Sequence, residues 1–477
     1  MARKELTIEM LTYSFTNIGS DSLYIHLYKC IKNDIISGSL PAETKLPSKR
    51  SFAKNLGIST ITVENAYAQL QSEGYIYSLP KKGFYVTKIK PPINNAPSVS
   101  PSVFPTAAPK KDYQFDFVNN KTNPDNFPFS IWAKLIRETI SEKSEELMIT
   151  PPCGGIMELR SAICDHLKAF RNMDVTPEQV IIGAGTEYLY GLIIQLLGFG
   201  KTYAIENPSY RKLAQIYQSY QVGYHAIPLD SDGIDVGMLE NTAAHVAHIT
   251  PSHHYPTGIV TSISRRYELL AWASREAGRY ILEDDYDSEF RLSGKPIPTL
   301  QSIDQSEKVI YINTFTKSLS STVRLSYMIL PRHLLETFYK RLDFYSCTVS
   351  NFEQYTLARF LSDGYFEKHI NRMRTHYKNV RDNLLTAIRN SSFASHIHIY
   401  EEDAGLHFLM QVDTDKNDEE LLQIARRHNI HVALLSQYYI EPLNNMPEHT
   451  LILNYSGLPL NQIPKAVGLL SDIFDAL

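Results

Sequence analysis

Thr314-Phe315-Thr316-Lys317-Ser318-Leu319-Ser320-Ser321-Thr322-Val323-Arg324 decides how this chain is read, together with Glu283-Asp284-Asp285-Tyr286 upstream. A lysine among small hydroxyl residues, with an arginine following, suits an aldehyde that carries a phosphate. The amine forms a Schiff base with the aldehyde. The hydroxyls and the guanidinium hold a phosphate dianion. An acidic residue at a strand end pairs with a protonated pyridine nitrogen, and a nearby tyrosine bonds the ring oxygen. These parts describe a site for pyridoxal 5'-phosphate.

Around these motifs, apolar strands alternate with helical segments. Val180-Ile181-Ile182 is a strand, followed by Gly183-Ala184-Gly185-Thr186-Glu187 and an apolar helix, Tyr188 to Leu197. Tyr203-Ala204-Ile205, His245 to Ile249, Tyr280-Ile281-Leu282 and Val309-Ile310-Tyr311-Ile312 are further strands. Strands separated by helices predict an α/β architecture with a parallel, helix-flanked sheet. Ligands of such sheets sit at the carboxyl ends of the strands. Three motifs each follow a strand directly, so one site is expected to collect them.

The first 90 residues read differently. They hold 12 Lys+Arg against 7 Asp+Glu, a net of +5, on a chain of 477 residues whose total is −4. A basic head on an acidic body predicts that the head alone meets a polyanion. Leu23, Ile25, Leu27, Ile31 and Ile35 are spaced for one helix, ended by Gly38. Ser48 caps a second helix that Gly57 breaks. Ser59 or Thr60 caps a third, running to about Glu73, with Val63, Ala66, Tyr67 and Leu70 inward. Two short helices joined at Leu56-Gly57-Ile58-Ser59 form a helix-turn-helix pattern. Tyr75-Ile76-Tyr77 and Phe84-Tyr85-Val86 flank Pro80-Lys81-Lys82-Gly83 as a β-hairpin wing. From Lys88 to Asp112 prolines recur among serines, asparagines and alanines, which predicts an extended linker.

Length predicts two or three domains. Hydrophobic content of 43% and charged content of 21% are those of an ordinary globular protein. No signal-peptide pattern opens the chain, and no apolar run has the length of a membrane span. Cys30, Cys153, Cys164 and Cys347 lack paired spacing, so free thiols in a reducing cytoplasm are expected. No metal-ligand motif such as His-Glu-x-x-His occurs.

The head resembles the winged-helix domain of GntR-type regulators, on Leu46-Pro47-Ser48-Lys49-Arg50, the Gly57-Ile58-Ser59-Thr60 turn, the tyrosine-bearing third helix and the wing. The resemblance implies double-stranded DNA as partner. It implies phosphate contacts from Ser48 and Lys49, and a backbone or base contact from Arg50. Thr60, Thr62 and Asn65 are then the base-reading face, and Lys81, Lys82 and Gly83 the wing tip. The remainder resembles fold-type I aminotransferases, on Gly155 with Leu159-Arg160, Gly183 to Glu187, Glu206-Asn207-Pro208-Ser209-Tyr210, Thr250 to Gly258, and the two opening motifs. The whole chain is similar to the MocR subfamily of GntR regulators. That similarity implies residues 1–87 as the DNA-binding domain, 88–112 as linker, and 113–477 as an aminotransferase-like domain for effector binding and dimerisation. It also implies a homodimer in which a head can serve the partner subunit. Carried over by residue, Lys317 holds the aldehyde, Asp284 the ring nitrogen and Tyr286 the ring oxygen. The backbone N–H groups of Gly185, Thr186 and Glu187, with Thr314, Thr316 and Arg324, hold the phosphate, and Tyr210 lies against the ring.

The chain departs from the enzyme pattern on the substrate side. Aminotransferases of this type grip the substrate carboxylate with an arginine whose place is taken here by Ile452. Amino-acid-sensing relatives use another arginine where this chain has Lys212. Tyr255 replaces the asparagine of the usual Asn-Pro-Thr-Gly, and Thr150 a tyrosine that crosses to the partner. An intact cofactor side with a weakened substrate side predicts a regulator, not an enzyme. The favoured effector is pyridoxal phosphate itself, with control of vitamin B6 synthesis or salvage. The alternative effector is an amino acid that condenses with the cofactor, its carboxylate met by Lys212, His253 or His254. An active aminotransferase is the remaining reading.

Overall fold

The computed structural model describes residues 11–15, 18–89, 112–118, 123–292, 297–403, 405–444 and 446–474. The expected linker lies outside the described residues except at its ends. The chain divides into two compact units, Met1–Lys110 and Lys111–Leu477.

In the first unit, the helix Leu23–Ser37 buries Leu27, Ile31 and Ile35 and stops at Gly38, whose φ of 82° is left-handed. Leu23, the first apolar position of the expected stripe, lies on the surface, because the first turn of this helix extends past the core. Ser48 caps Lys49–Leu56 by accepting from the Ser51 N–H. Ser59 caps Thr60–Ser72 by accepting from the Thr62 N–H. Each such cap stabilises its helix by about 1 kcal/mol. Phe52, Val63, Tyr67 and Leu70 pack with the first helix and with Ile76 and Val86 of the hairpin. The hairpin pairs Ile76–Leu79 with Gly83–Val86. Its turn closes through Lys82 N–H to the Leu79 carbonyl, with Lys81 at φ 62° after Pro80. That is the backbone pattern of a type II turn, where the third position is left-handed.

The second unit is built on an eight-stranded sheet. Its order is Val180–Gly183, Ser326–Ile329, Val309–Thr314, Tyr280–Asp284, Val246–Ile249, Tyr203–Asn207, Tyr224–Asp230 and Gly233–Ile234. The expected parallel arrangement holds for Val309–Thr314 through Tyr224–Asp230. It fails at Ser326–Ile329, which runs antiparallel to both neighbours. The segment from Phe315 to Leu325 is too short to carry the chain back along the sheet, as a parallel crossover needs. The consequence is functional. Val180–Gly183, Tyr280–Asp284 and Val309–Thr314 end at one edge of the sheet, and Ser326–Ile329 begins there. Both faces are covered by helices, so these strands read as continuous apolar runs. A second, antiparallel sheet orders Ile397–Tyr400, His407–Val412, Thr450–Asn454 and Ala433–Leu434. Phe115–Asp116 pairs with Ile430–His431 and fastens the start of this unit to its end.

Gly155 shows how closely the units of the body pack. Its φ is 89°, and a Cβ there would stand 2.5 Å from Ile182 Cδ1 and 2.7 Å from Gln354 Oε1. Gln354 is itself fixed, accepting from the Ile156 N–H and donating to the Val349 carbonyl. Gly155→Ala is therefore expected to destabilise the body by about 2–4 kcal/mol, from left-handed strain plus overpacking. A thermal unfolding midpoint equal to that of the unaltered chain would contradict this packing.

Candidate functional site

The strand Tyr280–Asp284 and the residue after it sort three carboxylates by the period-2 alternation of extended chain. Glu283 turns to one face, where it accepts from the Leu300 and Gln301 N–H groups and lies 3.7 Å from Arg266. Burial pushes its carboxyl up to about 7. Asp285 turns the same way and pairs with Arg171 at 2.5 Å and with the Tyr311 hydroxyl at 2.7 Å. Asp284 alone turns to the opposite face. Its Oδ2 accepts from the Tyr190 hydroxyl and lies 3.6 Å from His248 Nε2. His248 Nδ1 in turn meets the Tyr217 hydroxyl at 2.7 Å. Asp284 Oδ1 is buried and has no hydrogen-bond partner. A buried carboxylate oxygen without a donor is costly, and a protonated ring nitrogen is the donor it suits.

Lys317 follows the strand Val309–Thr314 on the one-turn helix Phe315–Ser318. Burial lowers its ammonium to about 8, opposed by the attraction of Asp287. An amine in that range supplies an appreciable neutral, nucleophilic fraction near neutral pH. Tyr286 meets His253 Nδ1 at 3.2 Å, and the same nitrogen lies 2.8 Å from Asp287. Burial, then Asp287, raises the Tyr286 hydroxyl well above its usual range, which keeps it a neutral donor. His254 is turned into the core. It bonds Thr257 at 2.7 Å, lies 3.5 Å from Glu206, and is lowered to about 3 by burial.

Gly185 precedes the helix Thr186–Leu197, whose first N–H groups point away from the helix body. A Cβ on Gly185 would come within 2.5 Å of Arg324 Nη2, so only glycine allows the guanidinium against this turn. Arg324 also pairs with Glu187 at 3.2 Å, and Lys212 pairs with the other oxygen of the same carboxylate. Thr314 Oγ1 is shared locally: it accepts from the Thr316 N–H and from Ser326 Oγ, and lies 2.7 Å from Thr316 Oγ1. Tyr210 is open, 53% exposed, with its ring 6.3 Å from that of Tyr255. Helix N-terminus, guanidinium and hydroxyls together have the chemistry of a phosphate cup. The residues present could therefore hold pyridoxal phosphate.

The surroundings of Ile452 are apolar. Ile452 is buried with Leu409 and Leu435, and Tyr438 and Tyr439 pack on them. Tyr255 donates to or accepts from the Tyr438 hydroxyl at 2.9 Å. Nothing in this cluster offers a guanidinium to a carboxylate.

In the first unit, Arg50, Thr60, Asn65, Lys81, Lys82 and Gly83 are exposed. Thr62 is half-buried and tied to Ser59 Oγ at 2.8 Å. Ser48 is engaged as a helix cap. Lys49 is engaged too, paired with Glu64 at 2.6 Å and lying over the Phe84 ring.

The model for class I and II aminotransferases matches residues 118–467, and that for bacterial regulatory proteins of the gntR family matches 23–86. The uncharacterised HTH-type transcriptional regulator YdeL of Bacillus subtilis is 35% identical, covering 93% of this chain and 95% of its own. The probable rhizopine catabolism regulatory protein MocR of Rhizobium meliloti is 29% identical, covering 95% and 94%. The chain belongs to the MocR subfamily of GntR-type regulators. A MocR-type chain is a helix-turn-helix transcriptional regulator with an aminotransferase-like domain. The fold of that domain is also that of Pyrococcus horikoshii kynurenine aminotransferase, at 23% identity and a TM-score of 0.67, covering 77% of this chain and 92% of that one. An archaeal alanine:glyoxylate aminotransferase gives 22% and 0.68, covering 76% and 91%.

Sequence reading missed Tyr190, His248, Tyr217 and Arg171. Tyr190 stands one turn after Thr186 in an apolar helix, and His248 interrupts a buried strand. Both are polar groups at core positions, which is the one signal that points to them. The Lys317 environment sets a pH dependence. Reaction of the unaltered chain with a small aldehyde, trapped by borohydride and mapped to Lys317, should accelerate with pH through about 8 and then level off, because the neutral amine is the nucleophile. A midpoint above about 10, the ordinary lysine value, would contradict the buried placement.

Proposed function

We propose that this regulator binds pyridoxal phosphate through Lys317, and that the cofactor is itself the effector, controlling vitamin B6 synthesis or salvage. The observation that carries the reading is the contrast between two halves of one site. Asp284 keeps a buried oxygen free of donors, while Ile452 fills the carboxylate-clamp position within an apolar cluster. When bound, the cofactor supplies an electrophilic aldehyde and an electron-accepting ring. The chain's own residues do the rest. Lys317 attaches the aldehyde, and Asp284, steadied by Tyr190 and His248, holds the ring-nitrogen proton. Tyr286 donates to the ring oxygen, and Gly185, Thr186, Thr314, Thr316 and Arg324 bind the phosphate. The HTH-type pyridoxine biosynthesis regulator PdxR of Corynebacterium glutamicum, 26% identical and covering 88% of this chain and 89% of its own, supports this choice of effector. A homodimer is part of the proposal, since two heads then read paired half-sites. A second reading, amino-acid sensing, rests on Lys212, a cation beside the phosphate cup.

The decisive measurement is affinity for DNA from the protein's own upstream region, with and without pyridoxal phosphate, then with an amino-acid panel. The expected outcome is a cofactor-dependent change equivalent to about 1–3 kcal/mol of coupling and no further change with amino acids. Equal affinities with and without cofactor, together with a response to one amino acid, would replace this reading with the second. On the DNA side, Arg50→Ala should weaken binding and flatten the log–log salt dependence by about one unit, leaving cofactor absorbance unchanged. An unaltered salt slope would remove Arg50 from the phosphate contacts.

A further inference from the structure

We propose that Glu187 is a specificity-determining residue: its carboxylate competes with the cofactor phosphate for Arg324 and keeps the cofactor exchangeable. The inference rests on the pyridoxal-phosphate reading above. The first turn of Thr186–Leu197 favours an anion, and Arg324 is pressed against it through the space that Gly185 leaves open. The chain supplies an anion of its own at this place. Glu187 Oε2 takes Arg324 at 3.2 Å, and Glu187 Oε1 takes Lys212. The hydrogen bond from Lys212, foremost, holds the Glu187 carboxyl below its ordinary range, so it is charged at neutral pH.

Two consequences follow from this one carboxylate. A phosphate dianion entering the cup meets a negative charge already on the guanidinium, and like charges sharing one site disfavour each other. The three side chains are between 38% and 50% exposed, so the bridge is weak enough to yield to the phosphate and to re-form when it leaves. A permanently held prosthetic group gains nothing from such a competitor, whereas a concentration sensor requires release. The same carboxylate also neutralises Lys212. A carboxylate reaching Lys212, at the position where amino-acid-sensing relatives carry an arginine, would therefore have to displace Glu187.

The test is an absorbance titration of the full chain with pyridoxal phosphate and, in parallel, with pyridoxal, which lacks the phosphate. Glu187→Gln should tighten pyridoxal phosphate binding about tenfold by removing a like charge beside the phosphate in a half-exposed site. It should leave pyridoxal binding unchanged. Lys212→Ala should do the opposite for pyridoxal phosphate, because Glu187 then pairs with Arg324 alone. Unchanged or weaker pyridoxal phosphate binding in Glu187→Gln, or an equal change for both ligands, overturns the proposal. If the unaltered chain binds no pyridoxal phosphate, the cofactor reading falls and this inference with it.

Discussion

Everything in the body's candidate site depends on one constraint: parallel strands deliver their carboxyl ends to a common edge. Val180–Gly183, Tyr280–Asp284 and Val309–Thr314 are extended in one direction, so whatever follows each strand is brought to the same place. Ser326–Ile329 obeys the same constraint in reverse. Running antiparallel, it starts at that edge, which is how Arg324, two residues before it, reaches the turn at Gly185. Residues 185–187, 314–316 and 324 are brought together under this topology without long loops.

The same strand geometry separates structure from chemistry in the acidic run. Glu283 and Asp285 face one way and meet buried arginines and backbone N–H groups, so these carboxyls fasten flanking helices to the sheet. Asp284 faces the other way, toward Tyr190 and His248; its Oδ1 is unengaged, as Oδ1 of Asp285 is on the opposite face. The clamp side shows the opposite economy. Ile452, Leu409 and Leu435 bury apolar surface against one another, which stabilises the fold and offers no carboxylate a partner.

Much of this was legible beforehand. The helix-turn-helix boundaries followed from Ser48, Gly57 and Ser59, because caps and left-handed glycines act locally and are written in adjacent residues. The strands before each motif were legible as buried apolar runs. Other features were not. The antiparallel strand at Ser326 depends on the length of a connection relative to the sheet, and the support of Asp284 by Tyr190 and His248 joins segments far apart in sequence. The pairing of Lys49 with Glu64 likewise removes a lysine from the free charge of the head, and nothing local to either residue announces it.

The amino-acid sequence by itself determined the two-part organisation, the element types and the residue kinds at the site, since periodicity, capping and motif chemistry are properties of neighbouring residues. Only the tertiary structure decided that Tyr190 and His248 support Asp284 while Glu283 and Asp285 turn away from it, and that Glu187 stands between Lys212 and Arg324. Those outcomes are set by side-chain direction and by contacts between strands and helices distant along the chain, where a single-residue change of register reverses the face and no local pattern records it.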